Sequence, residues 1–310
     1  MDISSSPQRR TRRGFIGLAA AVAALPWIDR AVAGSSFDLP PAPGSSPGKA
    51  YPLYEAASAA VIPSAGHQSR VALGDSIVRL VRHGIIDRGK VFALRLRTEK
   101  MPDELSHVLS DPADAPIRLT RENASSYVDL LWPIGLANRM TGNNASPLFG
   151  GSLSGYASTA GWTLGDRDEG SSYFNSVPIV DMTSDQEALA IGVAQSTFRP
   201  CCDNSTFFQD CNHGSALLAV LQLGAAQGLD EAELYREALA FNCFWFPDSY
   251  IRTALYFKIL RRTEWRDVDP KEVMGAQYSA QSAWQQTVQV PLQAIPDLIP
   301  EPESGADCGA

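Results

Sequence analysis

Four helix signals follow one another closely between residues 184 and 261, and they constrain the fold more than any other feature of the chain. The four predicted helices run from the capping box Ser184-Asp-Gln-Glu187 to about Phe198, from Gly214 to Gly228, from the capping box at Asp230 to about Phe246, and from Pro247 to Arg261. Pro200 stops the first of them, and the second is strongly apolar. Short connections between consecutive helices favour antiparallel packing.

The segment before these helices also carries helical spacing. Apolar residues from about residue 54 to Gly84 follow three-and-four spacing, and further helices are predicted at 87–98 and at about 120–139. Pro133 is expected to kink or break the last of these. No alternating pattern is sustained enough to indicate a sheet. The sequence therefore predicts an all-α fold in a single multi-helix domain.

A Gly/Ser-rich stretch at about 141–181 lacks any apolar period, and it is long for a loop inside one domain. Its aromatic residues indicate that it packs on the body of the domain, where it is positioned to cover a site. The domain itself is predicted to occupy residues 51–285. A Pro/Gly/Ser linker precedes it at 34–50, and a proline-rich extended tail follows at 286–310.

The first 33 residues have the features of a targeting segment. Basic residues precede an apolar run from Gly14 to Trp27, and Ala31-Val-Ala33 is an A-x-A-like cleavage site. Arg12-Arg13 followed by Gly-Phe15-Ile resembles the twin-arginine (Tat) export signal. The resemblance implies the Tat machinery as a partner, a periplasmic or secreted destination, and export of an already folded chain with any cofactor in place. The apolar run is too short for a membrane span, so none is expected in the mature chain.

The net negative charge of the chain argues against some classes of binding partner. The whole chain carries a formal net charge of −8, and residues 1–33 hold five arginines against two aspartates, so the cleaved chain would carry −11. An acidic protein repels phosphate backbones and anionic lipid, which argues against nucleic-acid and membrane-surface roles. No protein partner beyond the export machinery is indicated.

The chemistry of the chain is concentrated in residues 199–214, which hold three of the five cysteines and one of the four histidines. The candidate metal ligands are Cys201, Cys202, Cys211 and His213. Cys211 and His213 fall at a predicted helix start, where backbone N–H groups favour a thiolate and a neutral imidazole. Sulfur with one imidazole suits copper, zinc or iron.

Adjacent cysteines often cannot both reach one metal ion, and in that case Asp203, Asp210 or Cys243 would complete the shell. The sequence thus predicts a transition-metal site used in metal handling or metal-dependent redox chemistry.

Three alternatives remain open at this stage. Cys201 or Cys202 could form a structural disulfide with Cys211 in a non-catalytic binding module. Two of these thiols could cycle between dithiol and disulfide in an oxidoreductase. Cys211 could also be a catalytic nucleophile with His213 as its base, although such pairs are usually distant in sequence. Whether the protein is an enzyme is left open by the sequence.

Overall fold

A computed structural model describes residues 51–91 and 106–300, apart from residues 161, 163 and 168. Most of these residues are helical, which confirms the all-α prediction for a single domain. The α-helices with described bounds are α1 (Pro52–Val61), α2 (Ser76–Arg82), α3 (Ala124–Ala137), α4 (Ala157–Ala160), α5 (Ser184–Ser196), α6 (Asn212–Ala226), α7 (Glu231–Trp245), α8 (Pro247–Tyr256), α9 (Pro270–Met274), α10 (Ala276–Ser279), α11 (Gln281–Trp284) and α12 (Val290–Gln293).

Helix α6 lies at the centre of the domain. Every residue from Gly214 to Ala225 is buried. The helix contacts α3, α5, α7 and the strand β1 (His67–Gly74). A helix that is apolar on all sides can be stable in water only when other elements enclose it, and the strongly apolar sequence of this segment matches that position.

The contact between α3 and α6 depends on a glycine. A Cβ atom added at Gly135 would lie 1.9 Å from the carbonyl oxygen of Ser215, so the two helix backbones approach too closely for any side chain. Helix α3 also runs through Pro133 without ending, so of the two predicted alternatives, a kink or a break, the break is wrong. The surrounding residues of α3 are buried, and tertiary packing here outweighs the helix-breaking tendency of proline.

A small sheet corrects the expectation that the chain has no strands. Strand β1 pairs antiparallel with β2 (Ala113–Leu119), in a register that places His67 opposite Leu119. In β1 the buried residues are Ser69, Val71 and Leu73, which alternate as strand residues do. We predicted a helix from this short apolar run because Ile77 and Leu80 follow it closely. Gly74, at φ +56°, separates the strand from α2.

The Gly/Ser-rich stretch at 141–181 packs on the domain, as its aromatic residues predicted. Trp162 and Tyr173 are buried and stack at 4.8 Å between ring centroids, whereas Phe149 is 56% exposed. The stretch contains α4 and short 3₁₀ turns. The one strand-like pairing described within it is an isolated bridge between Val177 and Asn138.

Several predicted boundaries shift. The N-cap of α5 is Thr183, whose hydroxyl accepts from the Gln186 N–H in a capping box, one residue before the predicted start. Residues 285–293 are helical with Val288 and Leu292 buried, so the chain is not extended at residue 286 as expected.

Some predictions fall on residues outside the structural description. The signal segment at 1–33, the linker at 34–50 and the last ten residues all lie there. The helix predicted at 87–98 is seen only at 88–91, because 92–105 also lie outside. Within the described residues, we find no helix with the length and apolar character needed to span a bilayer.

A buried carboxylate attaches β1 to α7. Glu237 accepts hydrogen bonds from the Ser69 hydroxyl (2.7 Å), the Arg70 N–H (3.0 Å) and His67 Nε2 (3.2 Å). Burial alone would raise the pKa of Glu237, but the three donors outweigh burial and hold the pKa below its usual range. The strand therefore depends on an ionised glutamate.

We expect Gly135→Ala to lower the free energy of unfolding by about 3 kcal/mol or more, because the new Cβ atom forces α3 and α6 apart. Urea unfolding followed by circular dichroism measures this. Gly192→Ala is the matched control, since no atom lies within 4 Å of its added Cβ in α5. Helix propensity predicts that the control gains about 0.5–1 kcal/mol. Equal effects of the two substitutions would contradict the close helix contact.

We expect Glu237→Gln to destabilise the protein by about 1–3 kcal/mol at pH 7. Because the native pKa is depressed, the carboxylate stabilises the fold above the ordinary glutamate pKa of about 4.3. That contribution is lost as the pH falls through the native pKa, so the two proteins should converge in acid. Unfolding curves from pH 7 to pH 3 measure the difference. Glu264→Gln, in an exposed pair with Lys258, is the control and should change little. A difference that stays constant with pH would refute the role assigned to Glu237.

Candidate metal centre

The segment between α5 and α6, residues 197–211, is called here the ligand loop. It folds back on itself through a backbone bridge between Phe198 and Ser205. The Thr197 hydroxyl donates to the Thr206 hydroxyl at 2.9 Å, which closes the base of the loop. The chain therefore returns to its starting point just before α6.

This turn brings three of the predicted ligands together. The ligand atoms of Cys201, Cys211 and His213 lie within 4.8 Å of one another, and the two sulfur atoms are 3.9 Å apart. Cys202, Asp210 and Cys211 form a second group within the same limit. Each of the four predicted ligands thus belongs to at least one of these two groups, and Cys211 belongs to both. Among the described residues, no set of four meets this limit together.

Cys211 occupies the N-cap of α6, as the sequence indicated. Its Sγ accepts a hydrogen bond from the Gly214 N–H at 3.4 Å. A helix N-terminus offers unpaired N–H groups and a partial positive charge, and both favour a thiolate. The local sequence Cys-Asn-His-Gly therefore supplies a sulfur ligand from the N-cap and an imidazole from the first turn of the apolar helix α6.

Arg199 was not among the predicted site residues, yet it organises the whole ligand loop. Its side chain has 0% exposure, and its Nε–H donates to Cys211 Sγ at 3.1 Å. The remaining guanidinium donors contact the carbonyl oxygens of Asn204, Ser205 and Phe208 and the Asp210 carboxylate. All five N–H groups of the side chain are therefore used. The only sequence signal was a single arginine directly before Pro-Cys-Cys, which is too weak to assign a role.

Gly214 makes room for this arginine. A Cβ atom added at Gly214 would lie 2.6 Å from Arg199 Cζ and 2.7 Å from its Nη2. The guanidinium thus packs directly against the first turn of α6. The glycine after His213 is explained by this contact, and it requires no unusual backbone dihedral.

The pKa values of Cys201 and Cys211 are shifted in opposite directions. The hydrogen bonds that Cys211 receives from Cys201 and Cys202 lower its pKa well below the usual range, and the Arg199 charge adds to this against the opposing effect of burial. Hydrogen bonding to its neighbours and burial raise the pKa of Cys201. Within the cluster Cys211, which also accepts from the Arg199 and Gly214 N–H groups, is therefore the thiol that ionises most readily, and Cys201 favours its proton.

The two acids expected as substitute ligands are engaged in hydrogen bonds, and the distant cysteine lies outside the cluster. Asp210 pairs with Arg199 and accepts from Asn204 Nδ2 at 2.8 Å, although burial raises its pKa. Asp203 accepts from the N–H and the hydroxyl of Ser282 at 2.7 and 2.6 Å. Cys243 is buried and belongs to neither ligand group, so it is not a ligand in this arrangement.

Aromatic rings bound the imidazole side of the site. The His213 ring lies 4.7 Å from the Phe246 ring and 6.1 Å from the Trp245 ring, measured between centroids. Both are buried, and the ring contacts show that they also line the site.

The cysteines of the described residues are free thiols. The Cys201–Cys211 sulfur separation of 3.9 Å is well beyond the bond length of about 2.05 Å in a disulfide. The structural disulfide considered from the sequence is therefore not formed here.

We expect Gly214→Ala to destabilise the protein by about 1–3 kcal/mol, because the new Cβ atom overlaps the Arg199 guanidinium. Alanine favours helix more than glycine does, so a loss cannot arise from propensity. Urea unfolding measures it. Gly151→Ala is the control, since its nearest contact is an ordinary 3.4 Å. If Gly214→Ala is as stable as the unsubstituted protein, the packing of Arg199 against α6 is not as described.

Comparisons with known proteins do not identify a relative. No protein-family model, no curated protein and no solved structure matches the chain. The function must therefore be inferred from the geometry and chemistry of the chain's own residues, of which the cluster around Cys211 offers the most.

Proposed function

We propose that this protein is exported and binds one soft transition-metal ion per chain through Cys201, Cys211 and His213, with metal handling as its role. The observation that carries the proposal is the convergence of two sulfur atoms and an imidazole nitrogen within 4.8 Å. Cys201 lies in the ligand loop, whereas Cys211 and His213 lie at the start of α6. The buried Arg199 fixes the conformation of the loop that joins them.

The protonation of the cluster supports metal binding. A metal ligand must be deprotonated, and Cys211 already favours the thiolate. Cys201, whose pKa is raised, must lose its proton when the ion enters. The site residues are half-buried, so an ion can reach them from solvent while the aromatic wall limits water on one side.

One ion per chain is the expected stoichiometry. Both ligand groups need Cys211, whose sulfur also accepts from Arg199 and Gly214. A thiolate that already accepts from these two N–H groups has little remaining capacity to bridge two ions. Cys202 is then an alternative ligand, available for exchange with an incoming or leaving ion.

The export part of the proposal is supported by the Arg12-Arg13 segment and its resemblance to a Tat signal. A chain that folds before export can acquire thiolate-bound metal in the reducing cytosol, before it meets an oxidising compartment. The order of loading and export is thus chemically consistent with a cysteine-based site.

A thiol oxidoreductase is the second candidate. It is favoured by the same thiolate at Cys211, with the Cys201 thiol 3.9 Å away as a resolving group. In this alternative the two sulfurs form a disulfide and pass two electrons to a disulfide substrate or an oxidant. The two functions differ in whether metal is retained after purification.

We expect protein purified anaerobically to carry about one equivalent of copper, zinc or iron, measured by elemental analysis against protein concentration. Cys211→Ser should lose more than about 90% of that metal, because both ligand groups need this sulfur. Cys243→Ala is the matched control and should retain it, since Cys243 lies outside the cluster.

Two results would count against metal binding. One is a wild-type protein that holds no metal even after anaerobic reconstitution. The other is unchanged metal content in Cys211→Ser. A metal-free protein whose Cys201 and Cys211 form a disulfide after oxidation, with turnover of a disulfide substrate, would favour the oxidoreductase.

A further inference from the structure

We propose that the site is specific for copper(I) over zinc(II), and that Arg199 is the residue that sets this preference. The inference rests on the proposed metal-binding function and names the ion that this function handles. Three properties of the described residues support it, namely the number of donors, their softness and a fixed positive charge.

The number of converging donors is three. Cys201, Cys211 and His213 meet within 4.8 Å, and no fourth donor joins them within that limit in the described part of the chain. Zinc held by protein ligands alone is almost always four-coordinate and tetrahedral. Copper(I) and zinc(II) both have a filled d shell, but the softer, singly charged copper(I) ion accepts three ligands in a plane. The preformed set thus suits copper(I) without rearrangement.

The donors are also soft, because Arg199 engages the neighbouring carboxylate of Asp210 in an ion pair. One oxygen of Asp210 pairs with Arg199 and the other accepts from Asn204. Each oxygen already accepts a hydrogen bond, so coordination of an ion by Asp210 would compete with these donors. Thiolate and imidazole remain, and soft thiolate ligands favour copper(I), whereas carboxylate is compatible with zinc.

The third property is the Arg199 charge itself. Arg199 Nε lies 3.1 Å from Cys211 Sγ. The bond from that sulfur to a metal ion would be about 2.3 Å long. The guanidinium cannot move away, because every N–H group is already bonded and the side chain is fully buried. Its repulsion of an ion is proportional to the charge of that ion. A divalent ion is therefore penalised twice as much as a monovalent one.

Thiolate sites in general bind copper(I) more tightly than zinc(II), so the preference alone does not test Arg199. The role of Arg199 is tested by removing its charge and measuring the change in the ratio of the two affinities. Both affinities are measured anaerobically in the full chain, by competition with bicinchoninate for copper(I) and with a chromophoric chelator for zinc(II). A Cys308→Ser background removes the thiol that lies outside the structural description.

Arg199→Gln is expected to shift the affinity ratio towards zinc(II) by on the order of 10- to 100-fold. Asp210→Asn is the matched variant, since it removes the carboxylate and leaves the arginine in place. It should not shift the ratio towards zinc(II). Circular dichroism and urea unfolding show whether each variant is folded before its affinity is interpreted.

A second measurement does not depend on Arg199→Gln folding. Cys202→Ser should change copper(I) affinity by less than about threefold, whereas Cys201→Ser should lower it by on the order of 100-fold or more. X-ray absorption of the copper(I) protein should show two sulfur ligands and one nitrogen ligand. The sulfur count should stay the same in Cys202→Ser.

The outcomes separate this inference from the proposed function. Protein that binds neither ion refutes the proposed function. Protein that binds both ions, with a ratio unchanged in folded Arg199→Gln, refutes only the role of Arg199. A four-coordinate copper site that requires Cys202 refutes the three-donor assignment. A shifted ratio with a three-coordinate copper(I) ion supports the inference.

Discussion

The burial of α6 is the constraint on which the rest of the structure depends. Helices α3, α5 and α7 and the strand β1 surround it, and the Gly135 contact brings α3 against its first turns. The hydrophobic effect therefore fixes the position of the α6 N-terminus. Because Cys211 caps that terminus and His213 follows in the first turn, the same burial delivers two candidate ligands to a defined place.

The ligand loop is held by polar interactions around one buried cation. A charged side chain removed from water is tolerated only when its donors are satisfied and its charge is paired. Arg199 meets both conditions through three carbonyl oxygens, Asp210 and the Cys211 sulfur. The arginine thus ties the shape of the loop to the ionisation of Cys211, so the geometry and the chemistry of the site have a common origin.

The sequence predicted the α5–α8 region well because capping boxes and prolines are local signals. It also placed Cys211 and His213 correctly, since the apolar run defines where α6 begins. The strands were missed because β1 is short and is followed at once by α2, so two periods overlap around Val71 and Leu73. Arg199 was missed because its role comes from contacts across the loop and with Gly214, which no spacing rule describes.

The ties between the ligand loop and α11 bear on when the site can form during synthesis. The Cys202 carbonyl accepts from the Gln281 N–H, and Asp203 accepts from Ser282, which lies 79 residues further along the chain. These contacts cannot exist until residue 282 has left the ribosome. The nascent chain therefore carries its three thiols without the ties to α11 for several seconds, at the usual rate of about 5–20 residues per second. Assembly of the complete site is an event of late translation or afterwards, even though all its sulfur ligands emerge much earlier.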